Sequence, residues 1–221
     1  MTFDEFNIEV NYAAKGNSRY PAQGTDKYNR TMSIANRKIR EWATDSTTKW
    51  ASLFEERTYG QYSTSRTYEL DDDISDLSDF VYLVKANGDR VEYNVIKPQQ
   101  RSLHQKGVYI SSNNPKAITF IDTVETTDEL IGSIVTVPLF FIPEAITSGS
   151  DTIVVDSPEW LIYETAAELV RNDPAKDDQY GNLAGKANDM YQKMIYQNAT
   201  NPYLQPNGVP NEMPQIVMEN W

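Results

Sequence analysis

Hydrophobic positions repeat at helical spacing near both ends of the chain and alternate like strands in between. Near the start, Phe3, Phe6, Val10 and Ala13 fall on one helical stripe, Thr2 and Glu5 have the spacing of a capping box, and Gly16 stands where a helix stops. Phe6, Ile8, Val10 and Tyr12 also alternate as a strand would, so the opening segment has two readings. Residues 17–24, with Pro21, read as a loop. Asp26 then caps a second helix, in which Tyr28, Met32, Ala35, Ile39 and Trp42 form an apolar seam suited to another helix.

From about residue 45 to 155 the period is that of strands. Phe80 to Val84 is a continuous apolar run, Asn87-Gly88 supplies a tight hairpin turn, and Val91, Tyr93 and Val95 alternate on the return. Further strands are predicted over 108–111, over 117–121 after Asn113-Asn114-Pro115, over 134–141 and over 152–155. Pro138 places the third of these at a sheet edge or a bulge, because proline cannot donate to a ladder. Short strands at this spacing suggest a small sandwich or barrel.

Helical period returns at Asp156-Ser157-Pro158-Glu159. There Asp156 or Ser157 accepts the first orphan N–H groups, Pro158 presets φ and Glu159 complements the helix dipole. Trp160, Tyr163, Ala166, Ala167 and Val170 make one stripe, which ends at Asn172-Asp173-Pro174. A last helix over 176–199 carries Tyr180, Leu183, Ala187, Met190, Tyr191 and Met194, and the small residues Ala166, Ala167, Ala184 and Ala187 suit a close antiparallel pair. Gly181 and Gly185 oppose this helix by about 1 kcal/mol each.

The last twenty residues follow another logic. Prolines at 202, 206, 210 and 214 forbid a regular helix or central strand, yet the segment carries Tyr203, Leu204, Val209, Met213, Ile216, Val217, Met218 and Trp221. Such apolar surface cannot bury itself locally. An extended arm of this length reaches at most about 65–70 Å, against a radius of gyration of roughly 17 Å for a body of this size. Tyr203, Leu204, Val209, Met213, Ile216, Val217 and Trp221 are therefore the candidate partner-binding residues; the plain alternatives are a tail packed on its own body or a disordered one.

The fold class expected is α+β: a helical bundle from N- and C-terminal helices (1–44 and 156–200), a central β-rich sandwich or barrel-like insertion (45–155), and an extended C-terminal arm (201–221). The 221 residues, 39% hydrophobic and 11% aromatic, suffice for a real core. The chain has no Cys, which removes disulfides, thiolate metal sites and Cys nucleophiles, and no apolar run long enough to cross a membrane. Its start lacks the pattern of a secretory signal. A net charge of −12 argues against holding nucleic acid through phosphate contacts, so DNA near this protein should slide past. The second helix departs from this balance: Lys27, Arg30, Arg37, Lys38 and Arg40 face only Asp26 and Glu41, a basic face that suits an acidic partner or DNA, or is simply solvated.

Catalytic chemistry finds little support. His104, the one histidine, lies in a polar stretch without an orienting partner. No phosphate loop, nucleophile elbow or zinc motif is present. Asp71-Asp72-Asp73, continued by Asp76 and Asp79, is the one cluster that invites a cation, but a calcium loop needs spacers and a turn glycine, both missing. No pair among the 32 acids stands out for glycoside hydrolysis. The chain is thus expected not to be an enzyme, with no cofactor and no metal.

The order of parts resembles the head-to-tail adaptor (connector) proteins of tailed bacteriophages. The likeness rests on Met1-Thr2-Phe3-Asp4-Glu5-Phe6, the helix around 28–42, Trp50-Ala51-Ser52-Leu53, Tyr68-Glu69-Leu70-Asp71, and Asp156-Ser157-Pro158-Glu159-Trp160. It spans nearly the whole chain and departs at Asp71, where members often carry Pro. The resemblance implies a structural virion protein at the head–tail junction, a homo-oligomer in a dodecameric ring around the DNA channel. The portal protein would bind one side and a tail or next neck-ring protein the other, with DNA passing unread and terminal segments clamping neighbours. The competing expectations are a phage tail or neck component with a carbohydrate-binding or hydrolytic role, and a tail terminator.

Overall fold

The computed structural model describes residues 1–16, 20–122, 129–171 and 173–200. The arm 201–221, with all seven candidate partner-binding residues, lies outside these, as do parts of the expected loop at 17–24 and of the helix stop at 172–174. The chain folds as mixed helix and antiparallel sheet, an α+β protein.

Helix α1 (Phe3–Lys15) begins with both halves of the capping box: Glu5 N donates to Thr2 Oγ1 and Thr2 N donates to Glu5 Oε2 at 2.9 Å. It stops at Gly16, whose φ of 67° suits glycine and whose N–H donates to the Tyr12 carbonyl at 2.7 Å. The alternating reading fails here because Phe3, Phe6 and Val10 share a buried face while Tyr12 is 59% exposed. Helix α2 (Asp26–Ala43) is capped by Thr25, not Asp26; the Thr25 hydroxyl accepts from Tyr28 N at 3.3 Å, and Asp26 in the first turn complements the dipole.

Eight strands follow among the described residues: β1 (Phe54–Gln61), β2 (Thr67–Glu69), β3 (Ile74–Leu77), β4 (Phe80–Val84), β5 (Arg90–Asn94), β6 (Gly107–Asn113), β7 (Lys116–Ile121) and β8 (Ile134–Phe141). One sheet runs β1-β8-β4-β5 with β3 also on β8, and the other runs β2-β7-β6. Side chains from both sheets, including Val81, Leu83, Tyr93, Val108, Ile118 and Phe120, meet in one hydrophobic cluster. The β4–β5 turn uses Gly88 at φ 88°, with Lys85 N donating to the Asp89 carbonyl at 2.9 Å.

Two strand expectations change. Pro138 lies at neither an edge nor a bulge: β8 is central, with β1 along one side and β4 followed by β3 along the other. The Pro138 carbonyl accepts from Ser78 N at 3.0 Å, so the missing N–H faces the junction between β3 and β4, where no ladder partner is lost. Residues 152–155 form no strand. Instead Thr152 bridges Thr2, Ile153 N donates to the Met1 carbonyl and Phe3 N donates to the Asp151 carbonyl, so this segment lines the start of the chain.

Helices α3 (Pro158–Val170) and α4 (Asp177–Ala199) close the described chain. Ser157 is the cap, accepting from Trp160 N at 3.2 Å with Pro158 in the first turn. The pair is antiparallel, since the Trp160 ring at the start of α3 lies 5.8 Å from that of Tyr191 late in α4. Gly181 and Gly185 do not interrupt α4; a Cβ at either would meet open space, so they cost propensity without relieving a clash. Each of the helices α1 to α4 contributes to a second cluster, from Phe3 and Trp42 to Ala166 and Ala187.

Within this cluster the Thr165 hydroxyl is fully buried and has no hydrogen-bond partner. Thr165→Val keeps the shape and removes the unmet group, so it should raise stability by about 1 kcal/mol, read as a Tm higher by roughly 2–4 °C in a thermal scan.

Candidate functional site

The acidic run that invited a cation is already occupied by the chain's own. Strand β1 projects Arg57 toward the β2–β3 connection, where Nη1 meets Asp71 Oδ2 at 3.0 Å and Asp73 Oδ1 at 2.6 Å, and Nη2 meets Asp73 Oδ2 at 2.7 Å. Glu55 approaches Arg57 Nε, and Tyr59 donates to Asp71 at 2.8 Å. A two-point guanidinium–carboxylate contact of this kind fixes geometry as well as charge. The contact with Asp73 raises the Arg57 pKa further, and Arg57 holds the Asp73 carboxyl below the ordinary range. Among the described residues no cluster of His, Cys, Asp or Glu has the geometry to hold a metal ion.

The depressed Asp73 pKa contributes stability that is present above the unfolded value of about 3.9 and is lost as pH falls through the lower folded value. Arg57→Gln should therefore cost about 1–2 kcal/mol near pH 7. It should also flatten the decline in Tm on acidification below about pH 4. Thermal scans across pH check both.

A second titratable group is closed in the same way. Asp122 Oδ2 accepts from Tyr93 at 2.6 Å and from Tyr62 at 3.2 Å, while Lys106 lies 4.4 Å over the Tyr93 ring. Burial first and Asp122 second push Tyr62 up to about 12 and Tyr93 higher still, so both phenols remain donors across the physiological range. With two donors on one carboxylate oxygen, this cluster serves as a structural tie between β1, β5 and the end of β7. His104 follows a 3-10 turn at Pro98–Leu103 and is exposed. Trp42, Trp50 and Trp160 are buried and so form no exposed platform for a sugar ring.

The basic face of α2 is partly neutralised from a source that spacing along α2 does not reveal. Lys38 pairs with Glu164 at 2.8 Å and Glu41 at 3.0 Å, and Arg37 pairs with Glu168 at 3.0 Å. Both acids of α3 lie on the side turned to α2, which draws two of the five cations of the expected patch into a helix–helix seam.

What remains open is surface between elements. A groove of about 590 Å³ runs between α1, α3 and α4, with Tyr12, Ile162, Tyr163 and Leu183 along it and Glu9, Glu159 and Lys186 at its rim. A cleft of about 310 Å³ lies where helices meet sheet, between Trp50, Leu53 and Phe140, with Asp45, Asp76 and Lys49 around it. The chain leaves α4 beside this cleft: Asn198 Nδ2 donates to the Lys49 carbonyl at 2.8 Å, and Ala51 N donates to Asn198 Oδ1 at 2.8 Å. An apolar groove with a charged rim suits the docking of another polypeptide segment better than turnover of a small molecule. Among the described residues no helix is long and apolar enough to cross a membrane. No family model matches this chain, and no curated protein matches its sequence.

Proposed function

We propose that this chain is a structural subunit of a tailed-phage head-to-tail adaptor, forming a dodecameric ring that joins the portal to the tail and surrounds the DNA channel. The observation that carries the reading is the succession of elements. A helix pair opens the chain, an antiparallel β-rich segment follows, and a second helix pair returns to the cluster of the first. In this reading the four helices form a bundle into which residues 45–155 are inserted as a sandwich. The bundle contacts the neighbouring subunits and the portal, and the β-rich part faces the tail or the next neck ring.

Two further features support it. The titratable clusters of the β-rich part are engaged in internal ties, leaving grooves as the open features of the surface. The net charge of −12 lets DNA pass without being held. Each subunit would lend its apolar arm to a neighbour, and many modest contacts around a closed ring make a stable joint.

Averaged images of assembled particles test the proposal: density at the head–tail vertex should accommodate a closed ring of this fold. Finding the chain on a tail fibre, or as a monomer that binds or cleaves a glycan, would replace it with the carbohydrate reading.

A further inference from the structure

One pole of the helical layer concentrates positive charge in an otherwise acidic protein. The end of α1, the first turns of α2, the end of α3 and the turn before α4 meet around a cleft of about 140 Å³. Lys15, Lys27, Arg30 and Lys176 line it, and no carboxylate among the described residues does. Their charges are poorly met. Among the described residues Lys15 Nζ bonds the neutral Asn11 Oδ1 at 3.1 Å and forms no ion pair, Lys176 stands 3.9 Å from Asp173, and Lys27 and Arg30 form no ion pair. The neighbouring Arg37 and Lys38, on the same helix, are held by glutamates. Burial first, and then the like charges of Lys27 and Lys176, lower the Lys15 pKa. Ala14, Leu169 and Val170 give the cleft an apolar floor.

The arm has the complementary chemistry. From Met194 to Trp221 the only charged side chains are Glu212 and Glu219, and between them lie Met213, Ile216, Val217 and Met218. The cleft and the arm's point of departure stand at opposite poles: the 23 residues of α4 span about 35 Å, and the chain leaves beside Trp50. Glu212 lies at most about 40 Å of chain beyond Thr200, so reaching its own cleft would need a nearly straight return path. A donor at one pole and an acceptor at the other make a head-to-tail contact, the kind that closes rings.

We propose that the cleft formed by Lys15, Lys27, Arg30 and Lys176 receives the acidic, apolar arm segment 212–219 of a neighbouring copy. The inference rests on the ring reading for the arm's destination and adds the receiving site.

A fluorescein-labelled synthetic peptide spanning 202–221 tests it by anisotropy. The receptor is the full chain carrying Glu212→Lys and Glu219→Lys, so that its own arm does not compete. The peptide should bind, and adding Lys27→Glu and Arg30→Glu to the receptor should weaken binding at least tenfold, with Lys27→Gln and Arg30→Gln as the gentler pair if folding suffers. A peptide with both glutamates replaced by lysine should fail on that native cleft and recover on a full chain that carries Lys27→Glu and Arg30→Glu and keeps its own arm glutamates, which the reversed cleft repels. Equal binding to native and reversed clefts would overturn the assignment, as would a cleft that captures a short DNA duplex and ignores the peptide. Cross-linking a mixture of isotope-labelled and unlabelled native chains should join the 212–219 segment of one chain to the cleft lysines of another; cross-links confined within single chains would overturn the intermolecular arrangement. A failure here leaves the ring, as read from particle images, standing with a different acceptor.

Discussion

A chain truncated after Thr200 is expected to unfold at nearly the same temperature as the full chain and yet to fail in assembly. The buried side chains of the two clusters, from Phe3 to Met194, interdigitate with one another, so the folded body has its own core. The arm adds seven candidate contact residues, Tyr203, Leu204, Val209, Met213, Ile216, Val217 and Trp221. Each apolar side chain is worth about 1.5–3 kcal/mol when buried, while fixing each residue of the arm costs about 1–2 kcal/mol. A single arm therefore gains a modest surplus only where ordering is confined to the seven contact residues, since fixing all 21 residues of the arm would cost more than those contacts return. Repeated around a closed ring, that surplus multiplies, because each engaged arm raises the effective concentration of the next. Truncation should shift Tm by less than about 2 °C while the concentration needed for half-assembly rises at least hundredfold. Light scattering with thermal scans reads both numbers, and unchanged incorporation of the truncated chain into particles would contradict the role given to the arm.

The largest loss of stability is expected at Trp50, where the chain passes from α2 into β1. Its indole N–H donates to the Trp42 carbonyl at 3.0 Å, and its ring lies 5.5 Å from Trp42 and 5.8 Å from Tyr191. The Tyr191 ring in turn lies 5.8 Å from Trp160, and its hydroxyl donates to Asp45 at 2.6 Å. One side chain thus ties α2, α3 and α4 together beside the point where Asn198 anchors the end of α4. Trp50 is 1% exposed, so Trp50→Ala leaves a cavity that rigid neighbours cannot fill. The expected cost is about 3–5 kcal/mol, a Tm lower by roughly 6–20 °C in a protein of this size. Trp50→Phe keeps ring contact and loses the hydrogen bond, and should cost about 1–2 kcal/mol. Equal losses for the two variants would show that the hydrogen bond, and not the packing, dominates.

Features governed by neighbours in sequence were legible before any coordinates. The Thr2–Glu5 capping box, the Gly16 stop, the Asn87-Gly88 hairpin and the Ser157-Pro158 start are side-chain-to-backbone arrangements completed within a few residues. Strands β1 to β3 were not legible, because β1 reads Phe-Glu-Glu-Arg-Thr-Tyr-Gly-Gln and presents half-buried faces without an apolar alternation. The role of Arg57 was hidden for the same reason: its carboxylate partners Asp71 and Asp73 come from a different strand connection. Thr25 displaced Asp26 as the cap by a shift of one residue, within the usual uncertainty of a helix boundary. The glutamates that neutralise Arg37 and Lys38 sit on α3, and the cationic cleft draws Lys15, Lys27, Arg30 and Lys176 from three separate stretches of chain. Spacing along one helix shows a basic face, but only the packing of four helices decides which of its charges are met.

The most direct measurement is native mass spectrometry of the purified full-length chain, alone and mixed with portal protein. A ring reading requires that portal drive the chain into one discrete multiple of its own mass, lost when residues 201–221 are removed. A single-subunit mass that persists at every portal concentration, with and without the arm, would show that this protein is no adaptor.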